Sequence, residues 1–104
     1  MNLDRVPLSA RPFVARLAEF PPVEQIVLFG SRAVGDNDSR ADIDLAVSAP
    51  SLDRWQFARL RVQAFEARTL HWISLVHLEE TPGPLRERIY RQGKVLYERK
   101  ATAR

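Results

Sequence analysis

The apolar run Ile26-Val27-Leu28-Phe29 breaks off at Gly30-Ser31, and after ten intervening residues the chain continues as Asp42-Ile43-Asp44-Leu45-Ala46-Val47. No other pair of segments constrains the fold as strongly. The first, from about Glu24 to Phe29, is of strand type. The second alternates polar or small residues with branched apolar ones and also reads as a strand. Side chains alternate across a strand, so Asp42 and Asp44 share one face and Ile43, Leu45 and Val47 share the other, toward the core. Between the strands, Gly30 to Val34 reads as a tight turn opening a short helix. Gly35-Asp36-Asn37-Asp38-Ser39 is dense in turn formers and reads as a loop.

The remaining chain supplies helices, one further strand and a short final element. Ser9 is expected to cap a helix to about Phe20, with Phe13, Val14, Leu17 and Ala18 on its apolar side, and Pro21-Pro22 ends it. Ser51 or Asp53 is expected to cap a helix from about Arg54 to Arg68, with Phe57, Leu60, Ala64 and Phe65 at helical spacing. Trp72 to Leu78 reads as a third strand. A helix from about Leu85 to Gln92 stops at Gly93, Lys94-Val95-Leu96-Tyr97 is a short final element, and residues 98–104 are expected to fray. The order α-β-α-β-α-β-α predicts an α/β layer structure with few strands.

Aspartate is disfavoured in strands, and two like charges so close repel. One solution is a divalent cation: magnesium takes oxygen ligands, commonly one or two carboxylates plus substrate phosphates. The other is an edge strand whose aspartates face water and suppress aggregation. Gly30-Ser31 bears on the choice. A strand that ends in glycine and opens a helix leaves backbone N–H groups free for a phosphate, and glycine permits close approach. The Ser31 hydroxyl can donate to a phosphate oxygen, cap the helix, or do both. Arg32 either neutralises phosphate charge or is a surface arginine.

With 104 residues the chain suits one domain, 1–104, and a modest core. It has no cysteine, which removes disulfides and thiolate metal sites. No apolar run approaches the ~20 residues needed to span a membrane, and Met1-Asn2-Leu3-Asp4-Arg5 lacks the order of a signal peptide. A cytoplasmic protein with no membrane partner is expected. The net charge is +3. Its arginines are scattered and not interleaved with aromatics, so direct nucleic-acid binding is not expected. Trp55 and Trp72 are read as packing residues. His71 and His77 lack the partners of a zinc site.

Gly-Ser, ten residues, then Asp-x-Asp, each on the element its chemistry requires, resembles the signature of the DNA polymerase beta-type nucleotidyltransferase superfamily. The strings Gly30-Ser31-Arg32-Ala33-Val34-Gly35 and Ala41-Asp42-Ile43-Asp44-Leu45-Ala46-Val47 resemble its minimal members. Leu85-Arg86-Glu87-Arg88-Ile89 and Gly93-Lys94-Val95-Leu96-Tyr97 resemble the family's closing helix and end, so the likeness covers about residues 10–98. It implies a small mixed β-sheet flanked by helices. It also implies transfer of AMP from ATP, with Mg²⁺, to a hydroxyl: Asp42 and Asp44 as catalytic metal ligands, and Gly30, Ser31 and Arg32 on the nucleotide. Minimal members often act as the antitoxin paired with a HEPN-domain toxin, so a HEPN partner in a hetero-oligomer is implied.

One position departs from the pattern. The family usually carries a third carboxylate on a later strand, where this chain has Ile73-Ser74-Leu75-Val76-His77-Leu78. Ser74 occupies the third ligand position. His77 should face the opposite way and cannot replace it. Glu79 and Glu80 follow the strand and are the remaining carboxylates that could reach back. An alternative is therefore a catalytically degenerate binding module that neutralises its partner by complex formation.

Overall fold

The computed structural model describes residues 1–99. It contains strands β1 (Gln25–Phe29), β2 (Ile43–Ser48), β3 (Ile73–His77) and β4 (Lys94–Glu98), and helices α1 (Arg11–Glu19), α2 (Ser31–Val34), α3 (Arg54–Glu66) and α4 (Gly83–Gln92). The strands form one sheet in the order β3-β2-β1-β4. β1 runs antiparallel to both β2 and β4, and β2 runs parallel to β3, so the sheet is mixed. The parallel step needs a crossover, and α3 supplies it.

Alternation sorts the strand residues into two apolar layers. Ile26, Leu28, Ile43, Leu45, Val47, Ile73 and Leu75 pack with Phe13, Val14 and Leu17 of α1 and with Phe57, Leu60 and Ala64 of α3. On the other face Val27 and Ala46 meet Leu78, just after β3, and Ile89 of α4. The core-facing assignment of Ile43, Leu45 and Val47 holds, and so do the three expected strands. The final element is a fourth strand. α4 turns directly into it at Gly93, where a Cβ would run into Val27 Cγ1 and the Ile89 and Leu28 carbonyls.

Several local expectations change. The tail was expected to fray from residue 98, but Glu98 pairs with Gln25 and the Arg99 N–H donates to the Glu24 carbonyl at 2.8 Å. The rest of that segment, 100–104, lies outside the described residues. Ser9 caps no helix: its hydroxyl sits 3.1 Å from Thr69 Oγ1 and accepts from the Leu70 N–H, and α1 begins two residues later with Pro12 in its first turn. Asp53 caps α3 in a reciprocal capping box with Gln56. The helix stops at Glu66, short of Arg68. Phe65, expected in the core, is 67% exposed, and Trp55 and Trp72, expected to pack, are 77% and 60% exposed.

Candidate active site

Gly30 joins β1 to α2 with φ +74° and ψ −159°, a conformation accessible essentially to glycine alone. Phe29 pairs with Asp44 across the β1–β2 ladder. The turn after Phe29 therefore passes directly over the Asp44 carboxylate. A Cβ on residue 30 would collide with Asp44 Oδ2 and stand 3.3 Å from its Cγ. The glycine thus serves both the backbone conformation and the close approach of turn to carboxylate.

β2 lies inside the sheet, between β1 and β3. This removes the edge-strand explanation of the two aspartates. Asp42 stands one residue before β2 and is exposed, and Asp44 is half-buried on the strand. Neither carboxylate makes an ion pair or accepts a hydrogen bond among the described residues. Burial, and then the neighbouring Asp42 charge, hold the Asp44 carboxyl above its ordinary pKa. Two hard oxygen donors with uncompensated negative charge fit a magnesium ion, which completes its shell from phosphate and water.

Ser74 pairs with Asp44 in the parallel β2–β3 ladder, so it occupies the neighbouring position on the same face. This is where a third carboxylate would complete the cluster. No other acid takes its place. Glu79 is fixed beyond the far end of β3, accepting from Ser48 Oγ at 2.6 Å and from the Ala49 N–H at 2.8 Å. His77 points into the opposite layer, stacked on Phe57 with ring centroids 4.2 Å apart, and its Nε2 donates to the Ala49 carbonyl. Among the described residues no three His, Asp or Glu side chains gather into a metal cage.

Ser31 is the first residue of α2, and Gly30, not Ser31, holds the cap position. The Ser31 hydroxyl and the Ser31 and Arg32 N–H groups make no hydrogen bond among the described residues, while the Ala33 and Val34 N–H groups donate to the Gly30 carbonyl. Arg32 behaves differently from the expectation of a phosphate ligand or a surface residue. It is 8% exposed. Its Nε and Nη2 donate to the Ala41 carbonyl at 3.1 and 2.9 Å, and Nη2 also reaches the Ser39 carbonyl and His71 Nδ1. The guanidinium is thereby committed to the loop that delivers Asp42.

Arg5 is a second scaffold residue that the sequence did not single out. Its Nη1 donates to the Arg32 and Ala33 carbonyls and so closes the C-terminal end of α2. The only signal for it is generic: a four-residue helix exposes carbonyls that need donors. A wide groove lies elsewhere. It measures about 860 Å³ and runs between α1 and α3, lined by Phe13, Leu17 and Leu60 among others, on the sheet face away from Asp44.

Comparison with known proteins agrees with this fold. A family model described as polymerase beta, nucleotidyltransferase matches residues 14–102. No curated protein matches the chain. Among solved structures, a toxin–antitoxin with AMP-PNP matches at 28% identity and TM-score 0.68, over 89% of this chain and 76% of the other. A tyrosine-to-alanine variant of the MntA–HpeT toxin–antitoxin matches at 27% identity and TM-score 0.70, over 90% and 76%. A complex of tri-AMPylated Shewanella oneidensis HEPN toxin with MNT antitoxin matches at 26% and 0.60, over 88% and 71%. The chain belongs to the polymerase beta-type nucleotidyltransferase family.

Proposed function

We propose that this chain is a magnesium-dependent nucleotidyltransferase that moves AMP from ATP to a hydroxyl of a HEPN-domain partner, as the antitoxin of a HEPN/MNT pair. The observation that carries this reading is the direct contact between the Gly30-Ser31 turn and the Asp44 carboxylate. It joins a phosphate-binding element to an acidic one with no side chain between them. The similar structures support it: one holds AMP-PNP and another an AMPylated HEPN toxin with its MNT antitoxin.

In this reading Asp42 and Asp44 hold Mg²⁺, which supplies charge neutralisation at the triphosphate. The Ser31 hydroxyl and the first N–H groups of α2 bind phosphate oxygens. Arg32 acts on the site through the Asp42 loop, and not as a ligand. The acceptor oxygen bonds to the α-phosphorus, the bond to the β-phosphate oxygen breaks, pyrophosphate leaves, and the hydroxyl proton passes to solvent. A cytoplasmic location follows from the proposed substrate and partner. No helix of the described residues is long and apolar enough to cross a membrane.

The test is a transfer assay with α-phosphate-labelled ATP, Mg²⁺ and a HEPN-domain protein encoded beside this chain. Label should move to the HEPN protein and should be lost in Asp42→Asn and Asp44→Asn. A preparation that binds ATP and transfers no label would sink the enzyme reading. Ser74 favours a second reading, in which the site has lost turnover and the chain acts by covering its partner. Transfer that appears only in Ser74→Asp would establish that one.

A further inference from the structure

We propose that the outer face of α3 is a docking seam for a helix of a partner protein, one whose flanks carry aspartate and glutamate. α3 uses Phe57, Leu60 and Ala64 to pack on the sheet. Its opposite side should then be polar. Instead Trp55, Ala58, Val62 and Phe65 line it at spacings of three, four and three residues, the interval of a coiled-coil seam. Trp55 is 77% exposed, Val62 55% and Phe65 67%. Trp72, one residue before β3, extends the patch by meeting Phe65 edge to face with centroids 5.2 Å apart.

Isolated exposed apolar residues are ordinary, whereas a contiguous patch rich in tryptophan marks an interaction surface. Trp55, Val62, Phe65 and Trp72 together offer roughly 600 Å². With the stems of the flanking arginines, this approaches the ~800 Å² that each partner buries in a stable interface. The flanks identify the occupant. Arg54, Arg59 and Arg68 are exposed and form no ion pair among the described residues, and Arg61 lies over Phe57 while donating to the Leu75 carbonyl. Glu66 is the only acid on the exposed side of the seam between them.

A second copy of this chain fits poorly. Packed antiparallel, the flank carrying Arg54 and Arg61 meets the same flank of the other copy; packed parallel, Arg54 of one copy meets Arg59 of the other. A helix with acidic flanks pairs with all of them. Because α3 lies behind the sheet from Asp44, a partner docked there leaves the nucleotide face open.

The choice of a HEPN-domain protein as the partner rests on the function proposed above; the seam itself does not. The experiment is calorimetric titration of a HEPN-domain protein encoded beside this chain with the natural chain, Val62→Glu, Trp55→Ala and Arg59→Glu, each first checked for native circular dichroism. Val62→Glu and Trp55→Ala should each weaken binding by about 30-fold or more. Arg59→Glu should weaken it and flatten its salt dependence. Unchanged affinity in all three would overturn the seam while leaving the partner reading intact. If the natural chain does not bind the HEPN protein, the partner reading falls and the assigned occupant falls with it. A dimer of the natural chain in sedimentation that Val62→Glu dissociates would assign the seam to a second copy, and a 20-nucleotide RNA retained at low salt through Arg59 would assign it to nucleic acid. Either result overturns the proposal.

Discussion

The backbone of Gly30 lies against the Asp44 carboxylate so closely that no side chain fits between them. The Gly30-Ser31 turn and the acidic strand are therefore one unit, and a methyl group at residue 30 tests both. Gly30→Ala must adopt a conformation that costs about 1–3 kcal/mol and must also displace Asp44. The expected outcome is a lower Tm together with loss of the Mg²⁺-dependent change in Tm. A variant that kept full Mg²⁺ response would separate the turn from the metal site.

Asp44 carries a charge that the fold alone does not compensate. Its carboxyl sits above its ordinary pKa because of burial and of Asp42. The folded chain thus binds this proton more tightly than the unfolded chain. The contribution of Asp44 to stability falls as pH rises from the ordinary carboxylate range through the raised value, and stays low above it. Asp44→Asn removes that loss. In metal-free buffer it should melt above the natural chain at neutral pH, with the gap closing as pH falls to the acid side of that range. Magnesium should raise the Tm of the natural chain and leave Asp44→Asn unmoved. Paired thermal melts across pH, with and without Mg²⁺, read all of this out.

Arg32 fixes the loop before β2 through three donor contacts to backbone carbonyls. Hydrogen bonds from charged groups each contribute about 1.5–3 kcal/mol, and carbonyls left without a partner cost more where they are buried. Arg32→Ala should destabilise by about 2–3 kcal/mol. Lysine at this position keeps the charge but cannot span Ala41 and Ser39 with one planar fork. Arg32→Lys should therefore recover part of the stability and little of the Mg²⁺ affinity, measured by denaturant unfolding and by metal titration of the same samples. Equal recovery of both would mean that charge, and not loop geometry, is what Arg32 provides.

The sequence made the centre of the fold legible and left its periphery obscure. Alternation fixed the faces of Asp42 to Val47, and the same rule correctly separated Ser74 from His77. Gly30 was found because its requirement is local. The fourth strand was missed because Lys94 to Glu98 is short, and its partner β1 lies about 70 residues away. Phe65 was misplaced for a related reason. α3 is apolar on two sides, so helical spacing alone cannot say which side meets the sheet. Arg32 reads in sequence as either a phosphate ligand or a surface arginine. Only the path of the loop back to Ala41 reveals carbonyls close enough to take up its donors.

Ser74 sits beside Asp44 in the parallel register, on the face that carries the acidic pair. Ser74→Asp adds a third carboxylate to two that already lack partners. Without metal this should destabilise the chain, since a new like charge enters next to a half-buried one. With metal the sign reverses, because a third oxygen donor of full charge replaces a neutral hydroxyl. Magnesium affinity should rise by about tenfold, or ~1.4 kcal/mol. The Tm difference between the variant and the natural chain should change from negative to positive as Mg²⁺ is added. Ser74→Ala controls for size and should show neither effect. If Ser74→Asp is destabilised equally with and without Mg²⁺, residue 74 does not reach the ion. The departure from the family pattern at this position would then bear on the acceptor side of the site, and not on the metal.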